Sequence, residues 1–207
     1  PSYLWLLLAF LSLVSWMVES LKWQLLIAST RKIGFIQSIY QNLGGQAASF
    51  LTPLRAGEFA IKAAYYDRKD RKVVLKSVLL GNMCQMAITV SMGIVGGIYL
   101  LNLPAWIKVL VFVLLTSGLF LLPAVLRKFK IERLPWNILG LSFVRYLLFS
   151  SNWIILIGLS TSLDLPLIIA AVGAMYLLVS IVPSIQLFDL ALKWSVASFF
   201  GMSLGLS

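Results

Sequence analysis

Residues 49–62 read SFLTPLRAGEFAIK, and this stretch decides how the chain folds. Within it, a proline, an arginine, a glycine and a glutamate follow one another at positions 53, 55, 57 and 58, in a chain otherwise dominated by long apolar runs. Proline has no backbone N–H to donate, and it disfavours helical dihedral angles at the residue before it, here Thr52. The sequence therefore predicts that a helix breaks at Thr52-Pro53.

The composition around this break is typical of a helical membrane protein. The 207 residues are 60% hydrophobic and only 12% charged. Apolar runs approach twenty residues, the length of helix that crosses roughly 30 Å of hydrocarbon. We predict an all-α, polytopic membrane protein forming a single transmembrane domain over residues 1–207, which we expect to be truncated at both ends. The predicted spans are 3–28, 76–101, 105–126, 136–159 and 165–182.

The same composition excludes several kinds of chemistry. The chain has no histidine and a single cysteine, Cys84. An internal disulfide and a Ser-His-Asp or Cys-His nucleophile system therefore cannot form within it, and we expect no enzyme activity, no metal and no cofactor. The net charge of +10 would suit a nucleic-acid-binding protein, but in a membrane protein such an excess more often marks cytoplasmic loops. We expect no nucleic-acid partner.

Loop charge predicts the orientation and a re-entrant hairpin. Cytoplasmic loops carry an excess of Lys and Arg, so loops 30–32, 67–76 and 127–133 are expected in the cytoplasm. Loops 102–104 and 160–164 carry neither residue and are expected outside. This assignment requires the segment between the first two basic loops to enter and leave by the same face. Two half-helices meeting at the proline do that, provided that protein or a water-filled cavity solvates the broken backbone.

The second half of the chain repeats the pattern of a span followed by a broken apolar segment, with the opposite orientation in the membrane. Span 136–159 is followed by an apolar stretch that is broken at Pro183, which predicts a second hairpin entering from outside. Short sequence echoes recur at offsets of 130 or 131 residues, among them Gln186, Asp189 and Lys193 in the places of Arg55, Glu58 and Lys62. We predict an inverted repeat with halves of about 1–101 and 136–207, joined by span 105–126, as in many transporters.

Arg55, Glu58 and Lys62 are spaced three and four residues apart, so a helix places them on one face. With Thr52 as its N-cap and Pro53 in its first turn, that helix would offer free amides beside the Arg55 guanidinium, which together suit an anion. The alternative is that Arg55 and Glu58 only neutralise each other in a buried turn. We favour the site, because a charged residue at the membrane centre costs on the order of 3 kcal/mol.

Other polar residues are candidates for the same site. Arg145 lies mid-span without an acidic residue one turn away, so it needs a partner such as Glu58, Asp189 or a lipid phosphate. Asn42 and Gln46, with Asn82 and Gln85 in span 76–101, either line a polar cavity or hydrogen-bond between helices. Glu19 and Lys22 are predicted to form a local ion pair. The candidate substrate-binding residues are Asn42, Gln46, Arg55, Gly57, Glu58, Lys62, Arg145, Gln186, Asp189 and Lys193.

The elements Asn42-Leu-Gly-Gly and Thr52-Pro-Leu-Arg-Ala-Gly-Glu58 resemble the membrane region of the lysylphosphatidylglycerol synthase family, also called the flippase-like domain family. The hallmark of that family is Pro-x-Arg-x-Gly-Glu followed by a basic residue, and this sequence fills those places up to Lys62. Leu21-Lys22-Trp23 is similar to the family's upstream Arg-Trp element, with lysine replacing arginine. The family's second element is glycine-rich, whereas residues 183–189 contain no glycine, so we expect a differently shaped second hairpin.

The resemblance implies movement of lipids between leaflets. We expect a lipid flippase or lipid-linked substrate transporter for an anionic or aminoacylated phospholipid-type headgroup, with membrane phospholipids as partners, in a bacterial inner (plasma) membrane. Relatives flip aminoacylated phosphatidylglycerol made by an attached cytoplasmic transferase, but no such soluble domain is visible here, so aminoacyl transfer is not expected. The alternatives are a membrane subunit assisting a separate glycosyl- or aminoacyl-transferase, and a structural scaffold. The sequence leaves the oligomeric state open.

Overall fold

Helices make up most of the described part of the chain, and six of them are labelled α1 to α6. The computed structural model describes residues 2–53, 55–101, 103–111, 113–114, 117–118, 136–181 and 195. Short turns join most of the helices, and the prediction of an all-α protein is confirmed. The helices are α1 (Ser2–Ile27), α2 (Phe35–Phe50), α3 (Ala56–Ala64), α4 (Arg71–Leu100), α5 (Trp136–Ser160) and α6 (Leu165–Ile181).

Three of these helices are long and apolar enough to cross a membrane, so the prediction of an integral membrane protein is confirmed. They are Tyr3–Ile27, Arg71–Leu100 and Trp136–Ser160, with 25, 30 and 25 residues. Twenty-five residues of helix extend about 37 Å, more than the hydrocarbon thickness of roughly 30 Å. The helix α6 is apolar but shorter. Of the predicted span 105–126, residues 105–111 are helical, and most of the remainder lies outside the described residues.

The predicted break in the second segment is present, since α2 ends at Phe50 and α3 begins at Ala56. Ile33, just before α2, and Tyr66, just after α3, belong to one buried apolar cluster together with Trp23 and Val74. The two open ends of the pair α2–α3 therefore lie at the same end of the bundle. We call α2, α3 and residues 51–55 between them the hairpin.

The helices α4 and α6 pack through small residues. A Cβ atom added to Gly96 would lie 2.4 Å from the Ala170 carbonyl oxygen, and one added to Gly93 would lie 2.4 Å from the Leu177 Cβ. Gly97 has nothing within 4 Å of such an atom. Gly93 and Gly96, rather than Gly97, therefore face the neighbouring helix.

The helices α1 and α5 run antiparallel and meet through polar side chains. The Asn152 amide donates to the Ser12 hydroxyl at 3.1 Å, and further along the same pair of helices Arg145 contacts Glu19. Apart from residue 195, the predicted second arm at 184–201 lies outside the described residues, as does the loop at 127–133. So do Pro183, Gln186, Asp189 and Lys193, and those predictions stay predictions.

Candidate functional site

Thr52 and Arg55 shape the apex of the hairpin. The Thr52 hydroxyl donates to the Ala48 carbonyl at 3.0 Å and accepts from the Gly57 amide at 2.8 Å, so one side chain ties the end of α2 to the start of α3. Arg55 is the N-cap of α3, with φ 59° and ψ 27°, in the left-handed region. That conformation costs a residue with a Cβ atom roughly 1–2 kcal/mol.

Two sequence predictions about this apex are wrong. The helix begins at Ala56, so Thr52 is not its N-cap and Pro53 is not in its first turn. The amides of Ala56 and Glu58 donate to carbonyls within the apex, at 3.1 Å and 3.0 Å, and the Gly57 amide donates to the Thr52 hydroxyl. The left-handed turn at Arg55 lets the chain bond its own amides, so the predicted amide half of an anion site is not available.

Glycines bring the two arms of the hairpin together. A Cβ atom on Gly57 would lie 2.4 Å from the Ala48 carbonyl oxygen, so the close approach expected at Gly57 is made by the backbone of α2. On the facing helix, a Cβ atom on Gly45 would lie 3.2 Å from Lys62 Cε and 3.3 Å from Glu58 Cγ. The glycine in α2 therefore leaves room for the charged face of α3.

Glu58 is buried, with 1% of its surface exposed, and it binds two cations. One carboxylate oxygen lies 2.8 Å from the Lys62 ammonium, and the other lies 2.9 Å from the Arg55 guanidinium. The Asn82 amide of α4 lies 3.5 Å from the second oxygen. Glu58 and Lys62 thus share one face of α3, as their spacing predicts, and Arg55 reaches Glu58 from the turn before the helix.

Lys62 is held from its other side by an aromatic ring. Its ammonium lies 4.4 Å from the centroid of Trp23, a cation–π distance. The Trp23 indole donates to the Gln41 side-chain oxygen at 2.8 Å, and the Tyr66 hydroxyl donates to the same oxygen at 2.9 Å. Burial raises the pKa of Tyr66, which favours its protonated, donating form. Gln41 therefore fixes the ring that contacts Lys62.

A second buried carboxylate, Glu19, joins α1 to α5. One Glu19 oxygen lies 2.6 Å from the Lys22 ammonium and 3.0 Å from the Arg145 guanidinium. The predicted local pair is present, and the partner of Arg145 among the described residues is Glu19 rather than Glu58. Sequence reasoning left Glu19 and Lys22 out of the site, although two charges inside an apolar run were the signal that could have included them.

The two carboxylates lie in neighbouring ion-pair groups, because Trp23, whose ring contacts the Lys62 ammonium, directly follows Lys22 in α1. We treat the two groups as one ionic cluster. Within the described residues the cluster contains two carboxylates and four cations, a surplus of two positive charges. The side chains of Arg55 and Arg145 are 34% and 14% exposed, while the other members are at most 5% exposed. The cluster consists of Glu19, Lys22, Arg55, Glu58, Lys62 and Arg145.

The amide side chains beside the cluster have unused polar atoms. The Asn42 amide donates to the Ser20 hydroxyl at 3.3 Å, a bond between helices. Several buried polar atoms have no hydrogen-bond partner among the described residues, although such atoms normally have one. They include Asn42 Oδ1, Gln46 Nε2, Gln85 Oε1, and the hydroxyls of Ser15 and Ser142. Water or a polar ligand group would satisfy them.

Within the described residues, a helical bundle with helices apolar enough to span a membrane and a buried ionic cluster defines a polytopic membrane protein with a buried polar site. Comparison with protein families narrows this class. The family described as lysylphosphatidylglycerol synthase TM region matches residues 1–206, and the chain belongs to that family. No curated protein and no solved structure matches the chain.

Proposed function

We propose that the protein moves lipids or lipid-linked molecules between membrane leaflets, with the ionic cluster as the headgroup site. The observation that carries the proposal is the burial of Glu58, Lys62, Glu19 and Lys22 among helices that are apolar enough to span a membrane. Ionisable residues inside a membrane are expensive and mark substrate or ion pathways by default. Membership in a lipid-related family supports the same function.

In this proposal the hairpin is re-entrant and opens to the cytoplasm. The arms have 16 and 9 residues, or about 24 Å and 14 Å of helix, so neither crosses the hydrocarbon alone. Exposed basic side chains lie beside both open ends, among them Lys32 and Lys69. The positive-inside rule assigns that end to the cytoplasm.

The helix bounds support the proposed inverted repeat. Adding 130 residues to the bounds of α2 gives 165–180, and α6 spans Leu165–Ile181. The same shift moves α1 onto most of α5, and these two helices run antiparallel. The Glu19–Arg145 ion pair would then join the two halves, where transporters of this kind bind substrate.

In such a site, the headgroup phosphate would replace a protein carboxylate as the ion-pair partner of an arginine. A headgroup entering hydrocarbon loses its hydration, which is costly for a charged group unless protein charges replace the water. Arg55 is the most exposed member of the cluster and offers a planar fork of donors to a phosphate. Lys62 stays bound to Glu58 when Arg55 turns to the headgroup, so the buried carboxylate is never left unpaired.

Arg55→Gly tests this function without straining the fold. Glycine adopts the left-handed conformation freely, so the backbone of the apex is preserved while the guanidinium is removed. In vesicles containing the purified protein, we expect movement of a fluorescent phospholipid between leaflets to slow by about tenfold or more, the loss of one charge-assisted contact.

Arg68→Gly is the matched control, because Arg68 is an exposed arginine in the loop after α3. It should move lipid at the unsubstituted rate. If the unsubstituted protein moves no lipid of any headgroup, or if Arg55→Gly is as active as the control, the proposed function fails. Co-purification of an inactive protein with a lipid-modifying transferase would instead favour the role of a transferase subunit.

A further inference from the structure

The ionic cluster has more cations than its carboxylates can neutralise. Each of the two carboxylates is shared by two cations: Glu58 by Arg55 and Lys62, and Glu19 by one cation from its own helix and one from α5. Asp189 lies outside the described residues. Even if its single charge were added, the four cations would still outnumber the acidic groups.

The surplus positive charge of the cluster is carried by Arg55 and Arg145, whose side chains are 34% and 14% exposed. An ion taken out of water needs a partner of opposite charge, and an uncompensated buried charge is strongly destabilising. The two lysines are the most deeply buried cations of the cluster, each with 1% of its surface exposed. Each lysine has a carboxylate of its own, so an anion that joins the cluster would bind beside the two arginines and offset their charge.

Three unused donors are available to such an anion. The Nε atoms of Arg55 and Arg145 are buried and have no hydrogen-bond partner among the described residues, and the same is true of the Gln46 side-chain nitrogen. Gln46 is 4% exposed and lies on the buried face of α2, the face that also carries Gly45 against α3. All three are N–H donors, and phosphate oxygens are the acceptors that match guanidinium donors best.

We propose, on the basis of the proposed function, that the headgroup is a phosphate monoester or pyrophosphate and that the site discriminates against aminoacylated phospholipids. A phosphate monoester brings up to two negative charges and several acceptor oxygens, which offset the surplus and bind the free donors. A lysylated phosphatidylglycerol brings one phosphodiester and two ammonium groups, so its net positive charge adds to the surplus. This substrate class departs from the one that the family's description suggests.

The test compares lipids that differ only in headgroup. Vesicles containing the purified protein are loaded with phosphatidic acid, phosphatidylcholine or lysyl-phosphatidylglycerol, each with the same fluorescent acyl chain, and the rate of movement between leaflets is measured. We expect phosphatidic acid to move at least about tenfold faster than the lysylated lipid, a modest ratio for charge pairs a few ångströms apart.

Substitutions connect that preference to the cluster. Arg55→Gln and Arg145→Gln each remove one partly exposed cation and leave each carboxylate one lysine, so the surplus falls and the preference should shrink several-fold. Arg68→Gln, in the exposed loop, should leave the preference unchanged. A preference that survives both cluster substitutions would overturn the assignment of the anion to this site.

The remaining outcomes separate this inference from the proposed function. If the lysylated lipid moves as fast as phosphatidic acid, the inferred headgroup preference is wrong, but the proposed lipid movement is still supported. If no lipid moves, the proposed function itself is wrong. Inorganic phosphate and pyrophosphate distinguish a lipid from a soluble anion. One outcome is that these anions raise the unfolding temperature of the protein to the same extent with and without phosphatidic acid. In that case phosphatidic acid does not compete for their site, the ligand is a soluble anion, and the lipid assignment is wrong. Competition by phosphatidic acid supports it.

Discussion

The hairpin and the helix pair α4–α6 pack in opposite ways. Between α4 and α6, Gly93 and Gly96 allow the backbones to approach so closely that an added Cβ atom would overlap the neighbouring helix. In the hairpin, α3 places a buried carboxylate between Arg55 and Lys62 and presses this charged face against α2. One contact uses small apolar residues, and the other uses buried ions.

This difference distinguishes α4–α6, which are packed as a scaffold, from the hairpin, which carries the candidate site. Close packing of small residues is a common way to join helices in a membrane, and α4 and α6 are packed in this way. A buried ion pair loses hydration on both sides and often stabilises a protein no better than apolar residues of the same volume. The ions of the hairpin therefore need a reason beyond packing, and the proposed binding of a charged headgroup would supply one.

The largest expected effect is that of Glu58→Gln. It would leave Lys62, 1% exposed, without its carboxylate, and Arg55 would lose its partner as well. Removing one partner of a buried ion pair costs about 3–5 kcal/mol. We expect the free energy of unfolding in detergent to fall by this amount and lipid movement to be lost.

Asp67→Asn is the control for Glu58→Gln, because Asp67 is an exposed acid in the loop after α3. Its effect on unfolding should stay within about 0.5 kcal/mol, as for most surface substitutions. If the two variants unfolded at the same denaturant concentration, the cluster would be solvated, and the contrast between the hairpin and α4–α6 would disappear.

Gly96→Ala should have an intermediate effect on stability. Its new methyl group would lie 2.4 Å from the Ala170 carbonyl oxygen, so α4 and α6 must separate. Overpacking of this kind typically costs about 1–3 kcal/mol. Gly97→Ala, one residue further on and facing open space, should be neutral or slightly stabilising. Equal unfolding temperatures for the two variants would show that α4 and α6 are not closely packed in the membrane.

The smallest expected effect is that of a single cysteine substituted in a loop. Its position is measured by labelling with a thiol reagent added to one side of the membrane at a time. Cys84 is 1% exposed and should contribute little background. Cysteines replacing Lys32 and Lys69, beside the two open ends of the hairpin, should both label from the cytoplasmic side. One replacing Ser162, between α5 and α6, should label from outside. Opposite labelling of positions 32 and 69 would mean that the hairpin segment crosses the membrane completely.

Much of the fold could be predicted from the sequence, because its signals are local. Apolar runs long enough to span a membrane predicted α1, α4 and α5, and a proline with its effect on Thr52 predicted the break between α2 and α3. Helical spacing alone predicted that Arg55, Glu58 and Lys62 share a face, and both ion pairs are present. These inferences need only neighbouring residues and a regular period.

The tertiary structure decided the features that depend on residues distant in sequence. It assigned Arg145 to Glu19, set Trp23 over Lys62, and directed Gly96 rather than Gly97 towards α6. It also placed Arg55 in the left-handed conformation, in which the amides expected to bind an anion bond to the apex instead. The sequence by itself determined which helices form and which charges share a face, because those follow from local geometry. Only packing determined which charges meet and which donors remain free, because that depends on how the helices are rotated and approach one another.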